Sequence, residues 1–182
     1  MSTDATHYGF KKITFENWLS PDVPIIFPGI TPELWIPEVL KPQLGADVPE
    51  QICALFEAAR AMFVYGYLFY PLLTLAGQQC QRVAEAAVCA KCRAIGLPQK
   101  TSRTGKKRPR DFKFSENIDR LIANGIISKK DERRWTATRN LRNMGSHPSF
   151  QEIIPPGMAL GVLLSAAELI NGIFPANSSA PT

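Results

Sequence analysis

From Ala61 to Gln81, between Arg60 and Arg82, the chain carries no charged residue. A stretch of this length must be buried somewhere. A bilayer crossing needs about 20 apolar residues, so length alone permits a span. Composition argues against one. Gly66 and Pro71 interrupt the stretch, and it ends on the polar run Gln78-Gln79-Cys80-Gln81. Two core helices meeting at a turn satisfy the same pattern without a membrane. The expected fold is therefore built around a buried helical pair.

The flanks extend that reading. Asp47 is expected to cap a helix with Pro49 in its first turn, where a missing N–H costs nothing. Ile52, Leu55, Phe56, Ala59, Met62 and Phe63 then recur at helical spacing until Gly66. A longer helix is expected from Pro71 to Ile95, with Gly96 as its C-cap glycine. Ser115 is expected to cap a short helix ending at Asn124-Gly125. Ser128 caps the next, with Asp131 at the capping-box position. That helix passes Trp135 and Leu141 towards Gly145. Pro156 opens a last apolar helix through Leu160, Leu163, Leu164 and Leu169 to Asn171-Gly172. There is no internal repeat and no run with strand periodicity. The expected fold class is all-α, an antiparallel bundle of four to five helices.

Residues 1–48 differ. Pro21, Pro24, Pro28, Pro32, Pro37 and Pro42 forbid long helices. Yet Phe10, Phe15, Trp18, Ile25, Ile26, Phe27, Leu34, Trp35 and Ile36 are too apolar for a solvated linker. An irregular, ordered arm packed on the domain is expected, then a helical domain over 49–174 and a disordered tail over 175–182.

A chain of 182 residues fits one domain that folds without disulfide or metal. Cys53, Cys80, Cys89 and Cys92 all sit in apolar, helical surroundings, as reduced thiols of a cytoplasmic protein do. Cys89-Ala90-Lys91-Cys92 places two thiols one turn apart, but a closed zinc site needs four ligands, so no metal or cofactor is expected. The N-terminus lacks a basic patch followed by an apolar run, so no signal peptide is expected. The net charge of +5 permits a nucleic-acid partner. Lys100, Arg103, Lys106, Lys107, Arg108, Arg110 and Lys113 place seven cations in fourteen residues, with Asp111 the only acid. This loop is a candidate phosphate-binding segment, with a solvated loop as the equal alternative.

The chemistry-bearing segment is Arg139-Asn140-Leu141-Arg142-Asn143-Met144-Gly145-Ser146-His147-Pro148. His147 is the one histidine outside the first residues of the chain; the other is His7. A histidine moves a proton near neutral pH, and an arginine fork holds phosphoryl oxygens. Together they suffice to cleave RNA, whose 2′-hydroxyl supplies the nucleophile. One histidine cannot be base and acid at once, so a two-fold dimer would bring Arg142 and His147 of both subunits to one cleft. On a continuous helix the five-residue offset turns about 140° beyond a full circle, so Gly145 would have to let the chain bend. Asn143 could orient the histidine or a phosphate. Glu85 could hold the Arg142 fork, or merely partner Arg82.

Arg142-Asn143-x-x-x-His147 entering the last helix of an antiparallel bundle resembles the HEPN superfamily, the higher eukaryote and prokaryote nucleotide-binding domains. The likeness covers roughly Val48 to Phe174. Arg82-Val83-Ala84-Glu85 in the long helix and the Asn124-Gly125-Ile126-Ile127-Ser128 turn add to it. The proline-rich arm is similar to that of a bacterial family of unknown function within the superfamily. The resemblance implies a metal-independent, homodimeric endoribonuclease from toxin–antitoxin or phage-defence systems, with a cognate antitoxin or defence-system protein as a further partner. Arg142, His147, Asn143 and Glu85 would be its catalytic set. Lys100, Arg103, Lys106, Lys107, Arg108, Arg110 and Arg139 would bind RNA, tRNA among the candidates. Some relatives carry a tyrosine two residues after the histidine, which a partner enzyme modifies; here that residue is Ser149. Many relatives are inactive binding modules, so a helical module binding nucleotide, RNA or a partner protein stands as the alternative. There, Arg142 and the basic loop would bind phosphate and His147 would be incidental; in the plainest structural reading Arg142 only satisfies the last carbonyls of its helix and His147 is a loop residue before Pro148.

Overall fold

A computed structural model describes residues 9–22, 25, 29–98, 112–145 and 153–175. Six helices and no strand occur among the described residues: α1 Pro32–Leu40, α2 Glu50–Tyr65, α3 Pro71–Ala94, α4 Phe114–Ala123, α5 Glu132–Gly145 and α6 Pro156–Ile173. The chain is all-helical, in agreement with the sequence.

Helix α3 is the centre. It packs against α2, α4, α5 and α6. Its buried positions are mostly small: Ala76, Gly77, Cys80, Val83, Ala84, Ala87, Val88, Ala90 and Cys92. Small side chains let several helices approach one axis, because interaxial distance is set by the residues at the contact. A Cβ on Gly77 would come within 3.3 Å of Ile154 and 3.8 Å of Val162, so this glycine lets the α6 region come close.

The uncharged 61–81 stretch folds as two helices, the end of α2 and the start of α3, with a turn over 66–70. Gly66 ends α2 for a packing reason. Its backbone is ordinary right-handed helix, but a Cβ there would lie 2.3 Å from the Leu73 side chain. Gly96 works differently. Its φ of +73° is left-handed, and the Leu97 N–H donates to the Cys92 carbonyl at 2.9 Å, closing α3. Gly125, at φ +70°, closes α4 likewise, with Ile126 N–H donating to Leu121 at 2.9 Å.

Four local expectations are corrected. Helix α2 begins at Glu50 with Pro49 in the N-cap position, so Asp47 lies two residues before the N-cap and Pro49 is not within the first turn. The Pro49 carbonyl accepts from Ile52 and Cys53 at 2.8 and 3.1 Å. Ser115 does not cap α4. Phe114, edge-on to Trp135 at 6.4 Å, is drawn into the helix as its first residue. Glu116 then takes the Lys113 N–H at 2.6 Å. Helix α6 runs past Asn171-Gly172 to Ile173, because Ile173 and Phe174 are themselves core. The arm is less irregular than expected. Pro32 sits in the first turn of α1, where its ring fits, and α1 continues past Pro37 to Leu40.

The described part of the arm contacts the helices. Asp22 is fully buried and its carboxylate accepts the backbone N–H of Lys11 at 3.1 Å and of Tyr70 at 3.0 Å. Asp22 N–H returns a bond to the Tyr67 carbonyl at 3.1 Å. Phe10 stacks on Tyr70 at 5.9 Å, and Trp35 donates its indole N–H to the Phe63 carbonyl at 2.9 Å. Further along, Asn171 of α6 bridges Gly45 N–H and the Gln43 carbonyl at 2.8 and 2.9 Å. Helix α6 is long and apolar enough to cross a bilayer by length and composition, yet Ala159, Leu163, Ala166, Ala167, Ile170 and Ile173 are buried in the fold.

Asp22 therefore ties the arm to the α2–α3 turn. Asp22→Ala would strand the Lys11 and Tyr70 N–H groups and should cost about 2–3 kcal/mol in a denaturant melt. An unchanged midpoint would mean that the Asp22 carboxylate does not hold the arm.

Candidate functional site

Helix α5 is aimed before it is long enough to carry chemistry. Ser128 Oγ accepts the Asp131 N–H at 3.2 Å and donates to the Asp131 carboxylate at 2.7 Å, so the expected cap forms. Trp135, 1% exposed, then fixes the rotation of the helix. Seven residues are almost two whole turns, so Arg142 lies on the same inward face as Trp135.

There it meets Glu85 of α3. Arg142 Nε donates to Glu85 Oε2 at 2.9 Å and Nη2 donates to Oε1 at 3.4 Å. Two donors of one guanidinium thus meet both oxygens of one carboxylate, a fork-on-fork contact that fixes the plane of the arginine. The pair is half-buried, with Arg142 37% and Glu85 27% exposed. Of the two partners the sequence offered Glu85, the structure chooses Arg142; Arg82 is exposed. The guanidinium also leaves its own helix, which argues against a role confined to the last carbonyls of α5.

Asn143, the next residue, is exposed. Arg139, one turn earlier and half-exposed, lies against the Asn140 side-chain oxygen at 3.3–3.4 Å. His147 falls in 146–152, outside the described residues, so its distance from Arg142 is not part of this geometry. The same holds for Lys100, Arg103, Lys106, Lys107, Arg108 and Arg110, all in 99–111, and for the tail after Pro175.

Both ends of the basic loop are described, and one residue joins them. Arg120 of α4 donates to the Pro98 carbonyl at 2.6 Å, and its guanidinium lies 4.2 Å from the centre of the Phe112 ring. Asn117, buried beside it, accepts from Arg120 at 3.1 Å and donates to the Phe112 carbonyl at 3.2 Å. The loop therefore leaves and re-enters the fold at one clasp. Sequence reasoning passed over Arg120 because an arginine in a short helix carries no signal of a contact 22 residues away.

The thiols are occupied with packing. Asn117 donates to Cys89 Sγ at 3.4 Å, and Cys92 Sγ donates to the Asn117 carbonyl at 3.8 Å. Burial pushes the Cys80 thiol up to about 12, so it stays protonated at neutral pH. No group of three or more metal-ligating side chains occurs among the described residues.

Because the Arg142–Glu85 pair is half-exposed, solvent screens it. A double-mutant cycle of Arg142→Ala and Glu85→Ala, followed by urea unfolding, should return a coupling of about 1 kcal/mol or less. A coupling several times larger would make the pair a stability element. Comparison of the chain with protein-family models, curated proteins and solved structures finds no match.

Proposed function

We propose that this chain is a metal-independent endoribonuclease of the HEPN type, acting as a homodimer on RNA. The observation that carries the reading is the Arg142 fork, held across the helix interface by Glu85 and still partly open to solvent. An arginine meant only for stability gains little from such a position, whereas a phosphate-binding arginine needs both a fixed plane and access. The basic segment supports RNA as partner: six cations lie in the sequence between Pro98 and Phe112, the two ends that Arg120 ties together.

In this reading the 2′-hydroxyl loses its proton to a base and attacks phosphorus. The O2′–P bond forms, the P–O5′ bond breaks, and an acid returns a proton to O5′. His147 of each subunit fills one of those roles, Arg142 holds the phosphoryl oxygens, and Asn143 orients the histidine or a phosphate. Glu85 is a positioning residue. The setting is cytoplasmic phage defence or toxin–antitoxin pairing, with tRNA among the candidate targets and an antitoxin or defence-system protein as the restraining partner.

A non-catalytic module binding nucleotide, RNA or a partner protein competes with this reading. The observation favouring it is that Glu85 already balances the Arg142 charge. Incubation with total RNA and tRNA in EDTA separates the two. A nuclease gives products ending in 2′,3′-cyclic phosphate, and His147→Ala abolishes them while RNA binding largely survives. Cleavage retained in His147→Ala would sink the assignment. Glu85→Gln divides the readings a second way. Loosening the fork should slow a nuclease by up to about 100-fold. In a binding module it frees Arg142 and tightens RNA binding without any cleavage.

A further inference from the structure

One turn back from the Arg142–Glu85 pair, a cavity of about 320 Å³ opens between α3, α5 and α6. Its walls are Ala137, Leu141 and Val162; its polar groups are Gln81, Thr138 and Ser165. Gln81 is the unusual member. It is 9% exposed, and its amide makes no hydrogen bond to any described residue. Its amide nitrogen and oxygen keep accessible surface and line the cavity rather than the packed core. The two hydroxyls beside it keep capacity to spare. Thr138 donates to the Arg134 carbonyl at 3.0 Å and Ser165 accepts from Arg134 at 3.2 Å, so Thr138 can still accept and Ser165 can still donate. Cys80 lies on the wall as a protonated, buried thiol and adds no charge.

We propose that this cavity is a base-binding pocket in which the Gln81 amide pairs with the edge of an adenine. The class of ligand follows from the lining. Aliphatic walls suit the flat faces of a neutral ring, and the volume lies at the lower end of the range for small-molecule sites. A primary amide offers one donor beside one acceptor. Adenine offers the complement, with its N6 amine donating and N7 accepting. A carboxylate or phosphate is a poor fit, because Arg134 at the rim is already engaged by Glu168 and Asp131.

The chemistry fits a free adenine nucleoside and an adenine base within an RNA strand. Placement favours the strand. Gln81 precedes Glu85 by four residues on α3, and Thr138 precedes Arg142 by four on α5. A helical turn is about 5.4 Å, a reach that a ribose spans between its base and its phosphate. A strand seated by its base would thus bring a phosphate to the Arg142 fork. Only this coupling rests on the nuclease reading; the pocket itself stands on Gln81 and the cavity.

Binding is measured by calorimetry and thermal shift on the full chain carrying His147→Ala, in EDTA, so that cleavage plays no part. The probes are adenosine, cytidine and a ten-residue oligoadenylate. Adenosine should bind and raise the melting temperature; cytidine, whose N4 amine and N3 pair with the amide in the same way on a smaller ring, should bind more weakly because it fills less of the cavity. Gln81→Leu should weaken adenosine about 10- to 100-fold, the worth of one bidentate base contact. Gly161→Leu is the second variant. A Cβ at Gly161 meets nothing within 4 Å, so this change fills the cavity without moving the backbone, and it should abolish binding. Oligoadenylate displacing adenosine identifies the strand as the source, and adenosine bound without competition identifies the free nucleoside. Adenosine bound by a protein that never cuts RNA would leave the pocket standing and remove the nuclease reading. No adenosine binding, or binding unchanged in Gln81→Leu, would overturn the proposal.

Discussion

Everything in this fold depends on how closely other helices can approach α3. Its buried stripe of alanine, glycine, valine and cysteine presents little bulk, so α2, α4, α5 and α6 pack on one 24-residue helix. Large side chains come from the partners instead: Phe56 and Phe63 from α2, Trp135 from α5, Leu163 and Ile170 from α6. Small-on-large packing of this kind fixes each partner's rotation, because a bulky side chain has one hollow to enter. The rotation of α5 set by Trp135 is what carries Arg142 to Glu85.

The central helix therefore bears two duties that pull against each other. Where it meets α2 and α6 it is apolar and closes the core. Where it meets α5 it carries Gln81 and Glu85 four residues apart, both capable of polar contact. Polar groups at a helix interface lower stability unless matched. Glu85 is matched by Arg142 within the chain; Gln81 has no match among the described residues. A rigid helix is also the better place to hold recognition groups, since its backbone does not have to be ordered when a ligand arrives.

Much of this was legible in the residues. Helical periodicity located the five domain helices, and Gly96 and Gly125 marked two of their ends through the left-handed backbone only glycine adopts freely. Arg142 and Glu85 are 57 residues apart, yet a long helix carrying a single glutamate opposite a motif arginine made the pair a reasonable expectation. Other features lay below what sequence can show. Asp47 and Ser115 have capping side chains, but Pro49 and Phe114 override them because a fixed φ and a buried ring weigh more than one hydrogen bond. Gly66 ends a helix as the sequence suggests, but the close approach of Leu73, 2.3 Å from where its Cβ would be, is visible only in the packing. Helix α1 was hidden by its prolines, although one of them sits where a helix accepts proline readily.

Gln81 shows why the site was only partly legible. A glutamine in a mixed run of alanine, valine and glutamine looks like an exposed helix position. Only packing reveals that it faces inward, and only the cavity beside it explains why an inward glutamine is tolerated. The same packing relates the cavity to the arginine. Four residues on α3 and four on α5 separate them, so both lie along one seam between the same two helices. A seam with a base-sized hollow at one level and a fixed guanidinium at the next has the spacing of a nucleotide. The basic segment leaves the fold just beyond the C-terminal end of α3 and returns at Phe112, and Arg120 ties the two ends. Recognition of a base and of its phosphate would then be divided between two levels of one helix pair, which is why the rotation of α5 matters more here than the identity of any single surface charge.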